Sequence, residues 1–561
     1  MKSPFCVAAV RAQMLGRIGF LACLLAGAPG CSSDSNPGAT PAGSAGEATD
    51  GGASGSSAGG AEAGAGGKGQ AGTGASAGAA PVVEGDGSVL ERNNHASRDG
   101  QFRQPTLTLA AIAKLTMDKD FSANFEGNMY TSPLYLAKGP GGKGLFFAAT
   151  TGNDVIALDE TTGSVVWKTN FGDAPTMNGT DAPCGNVHPL GILGTPVIDA
   201  ASRTLYVANA LGTSSIAKHQ VHALSVDDGK ERAGFPIDVN GMTAGAQTFA
   251  PQPENQRSAL SLVGGTLYVP YGGHAGDCGQ YHGWVIGIDT ANPTKTGAWA
   301  TLGIGEGIWA AGGMASDGTS IFAVTGNNTA GVSDHTQSDG EEVVRLSGLA
   351  ALTRSDDNLF YPDGWKKMDD TDADFGSSNP IYMTVPGSPP QHYIAAVAKD
   401  GHLYLLDPTK LGGKGGQVDD FQLAVGGGSV HSVPAAYTTA KGAHYVLSTD
   451  GASLCPKGGA SGSVVLSVLI SGSPPVPSIE WCAPRGGAPT GPVATTTDGE
   501  ANATVWYMNG NKLVALDGDT GNTIYTSAET CDGVRQWTSP IAVKGRIVVG
   551  GDTHLCSWSV H

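Results

Sequence analysis

The sequence predicts an all-β fold: an eight-bladed β-propeller built from four-stranded antiparallel blades. Short runs of apolar and β-branched residues alternate with turns rich in Gly, Asn and Asp, which is typical of antiparallel strands. The pattern recurs at roughly 50 to 65 residues, and such a period indicates a repeat architecture with insertions in its loops. The last copy ends one strand short, so an N-terminal strand is expected to close a ring.

The first copy, residues 130–167, displays the repeating unit most clearly. A lead-in turn, Thr131-Ser132-Pro133, precedes strand runs that are separated by glycine-rich and Asp/Asn-rich turns. Similar lead-in turns recur as LGTPVID, QRSALSL, IWAAGGMAS, SSNPIYM, HSVPAAY, TGPVATT and WTSPIAV. One meander cannot bury both of its faces, so neighbouring copies must cover them. The fourth lead-in lacks proline, and seven blades are the alternative if that copy merges with a neighbour.

The strand that completes the last blade is expected near the start of the folded region. The chain ends after GRIVVGGDTHLCSWSV, with no residues left for an outermost strand. Residues 115–120, LTMDKD, are the best candidate for that strand. No window of the repeat region has a sustained helical period, so helices are not expected to contribute to the ring.

The N-terminal residues predict a targeting segment followed by a flexible linker. Residues 1–30 combine positive charge with a short apolar run, as in a secretory signal peptide. Cys31 follows Ala28-Pro29-Gly30, which resembles a bacterial lipobox, and Ser32 after it favours the outer membrane. Residues 31–87 are rich in Gly, Ala and Ser and predict a disordered, flexible linker. Residues 88–561 then form the propeller.

Charge and cysteine content narrow the classes of partner and cofactor. The formal net charge of −18 argues against nucleic acid and against electrostatic binding to anionic lipid, leaving membrane contact to the lipid anchor alone. Six of the nine cysteines follow the linker, and disulfides are expected in an oxidising compartment. The sequence does not fix one of about fifteen pairings. Pairings between adjacent blades or strands are favoured: Cys184–Cys278, Cys455–Cys482 and Cys531–Cys556. No CxxC or CxxCH occurs, which disfavours zinc and excludes a c-type haem.

Two copies of the repeat carry a family resemblance. The segments VIALDETTGSVVW and LVALDGDTGNTIY resemble the repeat of the pyrroloquinoline quinone (PQQ) enzymes. They are equally similar to quinone-free propellers such as the outer-membrane barrel-assembly lipoprotein. The resemblance implies the fold over nearly the whole folded region, but it does not by itself imply an activity.

The fourth copy resembles the cofactor segment of quinoprotein alcohol dehydrogenases. In GEGIWAAGGMASDGTSIFAVTGNNTAG, the resemblance implies that Trp309 stacks under PQQ and that Asn327 ligates Ca²⁺. An aromatic platform suits a planar quinone, and an amide oxygen suits a hard cation. The alternative is that Trp309 packs between blades and that Asn327 belongs to an ordinary turn.

The neighbouring copies supply the remaining candidates. By the same resemblance, Asp277 stands in for a metal-binding glutamate and His282 for an arginine, while Lys399 contacts the quinone oxygens. Asp374 corresponds to the general base, although the tryptophan that precedes it in the family is missing. The vicinal cysteine pair of the family is also absent. Alternatives are a disulfide-stapled turn at Asp277, a solvated acidic loop over residues 369–376 and a surface charge at Lys399.

Two functions therefore follow from the sequence. The first is an extracytoplasmic dehydrogenase that uses PQQ and Ca²⁺ to oxidise a small-molecule hydroxyl of an alcohol, polyol or sugar. The second is a lipid-tethered propeller that binds a ligand or an envelope protein and catalyses nothing.

Overall fold

The computed structural model describes residues 87–178, 184–425, 430–450, 452–456, 462–487 and 490–560. They lie in the unit formed by residues 77–561. Eight blades of four antiparallel strands form a ring, so the predicted eight-bladed propeller is confirmed. The predicted signal peptide, the lipidated Cys31 and nearly all of the linker lie outside the described residues. Within the described residues, no helix has the length and apolar character needed to span a membrane.

The strands of the first four blades pair in chain order. Blade 1 consists of Leu134–Leu136, Leu145–Ala149, Asp154–Asp159 and Val165–Asn170. Blade 2 consists of Val197–Asp199, Thr204–Gly212, Ile216–Ser225 and Ile237–Asp238. Blade 3 consists of Ser261–Val263, Thr266–Tyr271, Trp284–Asp289 and Thr296–Ala300. Blade 4 consists of Ala315–Ser316, Ile321–Val324, Val343–Leu346 and Leu359–Tyr361, with Gly413–Lys414 added in parallel.

The remaining blades follow the same scheme. Blade 5 consists of Ile381–Thr384, His392–Val397, His402–Leu406 and Asp419–Gln422. Blade 6 consists of Ala435–Thr439, Gly442–Thr449, Val464–Ser471 and Val476–Pro484. Blade 7 consists of Val493–Thr496, Thr504–Asn509, Lys512–Asp517 and Thr523–Thr526. Blade 8 takes its first three strands, Ile541–Val543, Arg546–Gly551 and His554–Ser559, from the end of the chain.

The loops contain short helices and minor strand pairs. Among the residues that the structure describes, the α-helices are Leu109–Ile112 and Trp365–Thr371. Three 3₁₀ turns are Pro140–Gly142, His335–Gln337 and Phe375–Ser377. Two small antiparallel pairs are a hairpin of Thr243–Ala244 with Gln247–Thr248 and a longer-range pair of Ala424–Val425 with Ala452–Ser453. The short helices explain why no sustained helical period was visible in the sequence.

Burial along a blade explains the mixed strand patterns. In blade 1 every residue of the second strand is buried, whereas the fourth strand is mostly exposed and buries Trp167 alone. The inner strands are covered on both faces by neighbouring blades, so both faces are apolar. The apolar clusters accordingly lie between blades; one of them joins blades 1 and 2 through Phe147, Trp167 and Leu205.

The ring closes as the sequence predicted. Thr116–Met117, within the candidate residues 115–120, pairs antiparallel with the last strand of the chain and completes blade 8. A further pair, Ala123–Asn124, binds the same strand. The largest apolar cluster gathers residues of blades 7, 8 and 1 with Phe102, Leu107 and Ile112 from the N-terminal region. The N-terminal residues thus contribute both hydrogen bonds and core to the closure.

Residues 89–104, here called the axial segment, bind the innermost strands of the ring. The first strands of neighbouring blades contact one another, which places them around the axis. Backbone carbonyls of the axial segment accept hydrogen bonds from the second residue of the first strand in six blades. The pairs are Val89 with Tyr135, Leu90 with Ile198, Ala96 with Ser316, Ser97 with Tyr382, Asp99 with Ala436 and Gly100 with Ala494. The side chains of Arg98 and Gln104 reach the two remaining blades, 3 and 8.

The lead-in turns join neighbouring blades through their hydroxyl groups. The Ser132 hydroxyl of blade 1 donates to the Ser539 carbonyl of blade 8 over 3.2 Å, and the Ser539 N–H donates back over 3.1 Å. The Ser132 N–H donates to the Thr195 hydroxyl of blade 2 over 3.0 Å. The recurrent Ser and Thr of the lead-in motif therefore have a structural role, which is to satisfy buried polar groups between blades.

The structure contains all three disulfides that the sequence favoured. They are Cys184–Cys278, Cys455–Cys482 and Cys531–Cys556. The first joins the loop before blade 2 to a loop of blade 3, and the other two connect neighbouring strands and loops at blades 6 and 8.

Candidate functional site

The candidate site lies at one end of the central channel, here called the mouth. Each first strand begins just after a lead-in turn, so the residues that precede these strands meet around the axis. They include Tyr130 in blade 1, Arg257 in blade 3, His431 in blade 6 and Trp537 in blade 8. The axial segment binds further along the same strands, and it therefore underlies the mouth.

Two tryptophans of the mouth enclose an arginine. The Arg257 guanidinium carbon lies 4.9 Å from the ring centroid of Trp309 and 5.0 Å from that of Trp537. The two rings meet edge to face, with their centroids 6.4 Å apart. Cations are attracted to the faces of such rings, most strongly where water is excluded. The arrangement holds the guanidinium in place without a carboxylate partner.

Arg257 forms no hydrogen bond and no ion pair with the residues that the structure describes, and its Nε is buried. Burial lowers the pKa of Arg257 to about 10, although Tyr281, Asp374 and Asp277 oppose this shift. The group therefore stays charged at neutral pH and is available to an anion.

A lysine and two aspartates form an ion-pair cluster beside Trp309. Lys399 Nζ donates to Asp374 Oδ2 over 3.0 Å and to Asp372 Oδ1 over 2.8 Å. The same ammonium lies 5.1 Å from the centroid of the Trp309 ring. The carboxylates raise the pKa of Lys399 against the opposing effect of burial, so the lysine is a cation at neutral pH.

Asp374 is the buried carboxylate of this cluster. It is 2% exposed, and its Oδ1 has no hydrogen-bond partner within the described chain. Burial raises the pKa of Asp374 to about 6, with Lys399 opposing the shift and Asp372 adding to it. A buried carboxylate with one oxygen held and the other unpaired has the properties of a general base.

A second buried carboxyl group, that of Glu341, lies near Asp374. Glu341 is fully buried, and its Oε2 accepts the Phe375 N–H over 3.1 Å. Its backbone has a φ of 59°, which is uncommon for a residue other than glycine. Burial, together with Asp374 and Asp369, raises the pKa of Glu341 well above its ordinary range.

Glycine brings the backbone before blade 5 against the platform. A Cβ on Gly376 would lie 2.2 Å from the indole nitrogen of Trp309. No side chain fits there, so the glycine allows Asp374 and Trp309 to be neighbours.

The two predicted metal ligands occupy different positions around this cluster. Asn327 donates its amide N–H to Asp372 Oδ1 over 3.2 Å. Asp277 is exposed, accepts a hydrogen bond of 2.6 Å from the Tyr281 hydroxyl, and is close enough to Asp374 to raise its pKa. The mouth thus contains both residues, but the ammonium of Lys399 already bridges the carboxylates that a metal ion would use.

Among the described residues, one other cluster of three possible metal ligands occurs, Cys531, His554 and Cys556. Two of its members form a disulfide, so it lacks the thiolates that a metal needs. The acidic residues 369–372 end a short helix, and Asp372 terminates it in the left-handed conformation, with a φ of 54°. The segment is therefore a helix end rather than the solvated loop considered from the sequence.

Some residues of the mouth were predicted from the sequence. Trp309, Asp374 and Lys399 lie together, as the resemblance implied. His282 does not take the role of the cation, because burial lowers the pKa of its imidazole; its bond to Glu254 is made by the backbone N–H. The second cation at the platform, beside Lys399, is Arg257, which was missed together with Trp537 and Asp372. A signal was present: in QRSALSL and WTSPIAV, an arginine and a tryptophan stand directly before the Ser or Thr of the lead-in.

Comparison with solved structures identifies the class of fold. The quinohemoprotein alcohol dehydrogenase from Comamonas testosteroni is similar with a TM-score of 0.60 and 13% identity, over 84% of this chain and 80% of that one. A europium-containing methanol dehydrogenase is similar with a TM-score of 0.58 and 14% identity, over 83% and 90% of the two chains. BamB from Moraxella catarrhalis gives a TM-score of 0.47 at 14% identity, over 79% and 99%.

At these identities the similarity establishes the fold, and the chain has the propeller fold of the quinoprotein alcohol dehydrogenases. No family model matches the sequence. No curated protein matches it either.

Proposed function

We propose that the mouth binds PQQ and that the protein is a dehydrogenase, which oxidises the hydroxyl of an alcohol, polyol or sugar. The observation that carries this proposal is the buried Asp374, held through one oxygen by Lys399 beside the ring of Trp309. A base, a cation and an aromatic platform in contact are what hydroxyl oxidation by a planar quinone needs. The dehydrogenases that share the fold support the same class of reaction.

The residues of the mouth fit a quinone of this kind. PQQ is planar and polyanionic, and the mouth offers an indole with two cations close to its ring, Lys399 and Arg257. Trp309 would support the ring system, and Lys399 would contact its oxygens. When bound, the quinone supplies a two-electron acceptor for the hydride of the substrate.

The protein's own residues manage the proton. Asp374 Oδ1 accepts the proton of the substrate hydroxyl, since this oxygen makes no hydrogen bond within the described chain. Lys399 fixes the other oxygen, so the carboxylate keeps one orientation during the reaction. Because the pKa of Asp374 is about 6, the group is mainly ionised at neutral pH but still basic enough to assist.

Calcium fits this arrangement less well than the quinone does. Lys399 already bridges Asp372 and Asp374 and offsets one of their two charges, and Asn327 directs an N–H, not its carbonyl, toward Asp372. Hard cations need several oxygen ligands at short range. We therefore assign no step to Ca²⁺, and Asp277 and Asn327 as its ligands remain a prediction from resemblance.

A binding protein without chemistry is the second candidate. The Lys399 bridge favours this candidate, because the ammonium group takes the position between Asp372 and Asp374 that a metal ion would otherwise occupy. In that case the occupant of the mouth is a ligand or an envelope protein. The signal peptide, the lipidated Cys31 and an outer-membrane location are predictions that apply to either candidate.

Reduction of an artificial dye separates the two candidates. The purified protein is incubated with PQQ, with and without Ca²⁺, and dye reduction is followed across a panel of alcohols, polyols and sugars. Asp374→Asn keeps the shape of the side chain but removes the base, and it should lower the rate about 10²- to 10⁴-fold while quinone binding persists. The exposed Asp363→Asn is the matched control and should react like the wild type. Absence of substrate-dependent dye reduction, or an equal rate in the Asp374 variant, would contradict the enzyme proposal.

A further inference from the structure

A cavity beside Trp309 has polar groups that the proposed chemistry does not use. It encloses about 280 Å³ between blades 8, 1, 2 and 3, near the small end of the range for small-molecule sites. Its lining includes Tyr130, Asn255, Arg257, His274, Arg535 and Trp537.

Two donors in this lining are buried and unpartnered. They are the Nε–H of Arg257 and the indole N–H of Trp537, neither of which has a hydrogen-bond partner in the described chain. Leaving such buried groups unpaired is unfavourable, so a ligand that pairs with them is favoured. Trp537 also has a φ of 67°, a strained conformation for a bulky residue of the kind found at functional sites.

Two acceptors in the same lining are unpartnered as well. The Oδ1 of Asn255 and the Nδ1 of His274 are buried and make no hydrogen bond with described residues. His274 Nε2 lies 3.2 Å from the Gln252 carbonyl and must donate to it, which leaves Nδ1 as a bare acceptor. Burial lowers the pKa of His274 to about 4, so the ring is neutral at physiological pH.

The second cation of the cavity is already neutralised. Arg535 donates from Nε to Asp552 Oδ1 over 2.8 Å, and its Nη2 binds the other oxygen of the same carboxylate. Arg257 faces the acidic groups Asp277 and Asp374, but it pairs with neither. Arg257 is thus the unpaired charge of the cavity.

We propose that this cavity binds a small polyhydroxy carboxylate, with Arg257 and Trp537 donating to the carboxylate and Asn255 and His274 accepting from hydroxyl groups. A guanidinium presents parallel donors that match a carboxylate. The acceptors account for the hydroxyls, which a simple anion would lack. The binding claim stands alone, whereas the identification of this ligand as the substrate rests on the proposed dehydrogenase function.

Calorimetric titration of the full-length protein with gluconate, without quinone, tests the proposal. Sorbitol, of similar size but neutral, is the comparison ligand. Gluconate should bind and sorbitol should not at the same concentration. Arg257→Met should weaken gluconate binding about 10- to 100-fold, the loss expected for a charge-assisted hydrogen bond. Arg232→Met removes an exposed arginine of blade 2 and should leave binding unchanged.

Two further arms complete the test. Arg257→Lys keeps the charge but loses the parallel N–H donors of the guanidinium, and it should give an intermediate affinity for gluconate. This variant keeps the test decisive if Arg257→Met fails to fold. Adding PQQ to the gluconate complex should leave gluconate bound. Equal affinity for gluconate and sorbitol, an unchanged affinity in folded Arg257→Met, or displacement of gluconate by PQQ would each overturn the proposal. The last outcome assigns the guanidinium to the quinone, and failure of dye reduction alone leaves the carboxylate site standing.

Discussion

Replacement of Arg98 by methionine should destabilise the whole ring. Arg98 lies in the axial segment and is fully buried, and each of its nitrogens donates. Nε donates to the Met314 carbonyl over 2.9 Å, Nη1 to Glu91 Oε2 over 2.8 Å and to the Arg92 carbonyl over 2.9 Å. Nη2 donates to the Leu260 carbonyl over 2.8 Å and to the Ser261 hydroxyl over 2.7 Å.

The magnitude follows from what the methionine leaves behind. Glu91 becomes a largely buried carboxylate without its cation, and three carbonyl groups lose a donor. Breaking a buried ion pair from one side costs about 3–5 kcal/mol. The Met314 carbonyl keeps the Ser261 hydroxyl as a donor at 3.1 Å, whereas the Arg92 and Leu260 carbonyls lose the donors that Arg98 supplies. These two losses place the destabilisation at the upper end of that range, since each buried acceptor without a partner is unfavourable.

Urea denaturation followed by tryptophan fluorescence and by proteolysis measures the loss. Arg98→Met should lower the free energy of unfolding by about 4 kcal/mol, and Glu91→Gln in the same chain should recover part of it by removing the uncompensated charge. Arg232→Met is the control at an exposed site, where about 0.5 kcal/mol or less is expected. A loss below about 1 kcal/mol for Arg98→Met would refute the role of the axial segment in holding the blades together.

Two other predictions concern the base and the closure. Dye reduction should rise with pH through about 6, because Asp374 accepts a proton only when ionised and its folded pKa is about 6; a rate that is flat from pH 5 to 8 would contradict its role. Deletion of residues 101–121 removes the closing strand Thr116–Met117 and part of the core that joins blades 7, 8 and 1, and it should leave the protein aggregated or unfolded in a melting experiment. A truncated protein that melts like the wild type would contradict the closure.

The sequence predicted the ring because its determinants are local and repeated. Alternating strand runs, Asp-containing turns and Ser/Thr-Pro lead-ins occur in copy after copy, so each copy supports the interpretation of the others. The missing last strand predicted the closure, and Thr116–Met117 fulfils it. The disulfides followed from the proximity of neighbouring blades, which the repeat order already implies.

The axial segment could not be predicted in the same way. Residues 89–104 include a polar stretch without periodicity, and their partners are backbone groups of strands far apart in the sequence. The signal of such a segment lies in the geometry of the assembled ring. Arg98 and Arg92 are almost fully buried although arginine is rarely so, which only the completed channel explains.

The mouth was predicted in part, because family resemblance pointed to one copy at a time. It identified Trp309 and Asp374, but the partner of Trp309 comes from a different blade. Arg257 and Trp537 meet only when blades 3 and 8 are brought round the same axis. Such contacts between distant copies have no local sequence pattern, and they distinguish this mouth from the repeat that builds it.

Retention of PQQ after desalting is the direct test of the proposed quinone site at the mouth. The protein is mixed with excess PQQ, passed through a desalting column, and the quinone absorbance per protein chain is measured for the wild type and for Trp309→Leu. We expect close to one quinone per wild-type chain and at least a tenfold lower retention in the variant, since the platform is lost. No quinone on the wild type, or equal retention in both proteins, would contradict a PQQ site at the mouth.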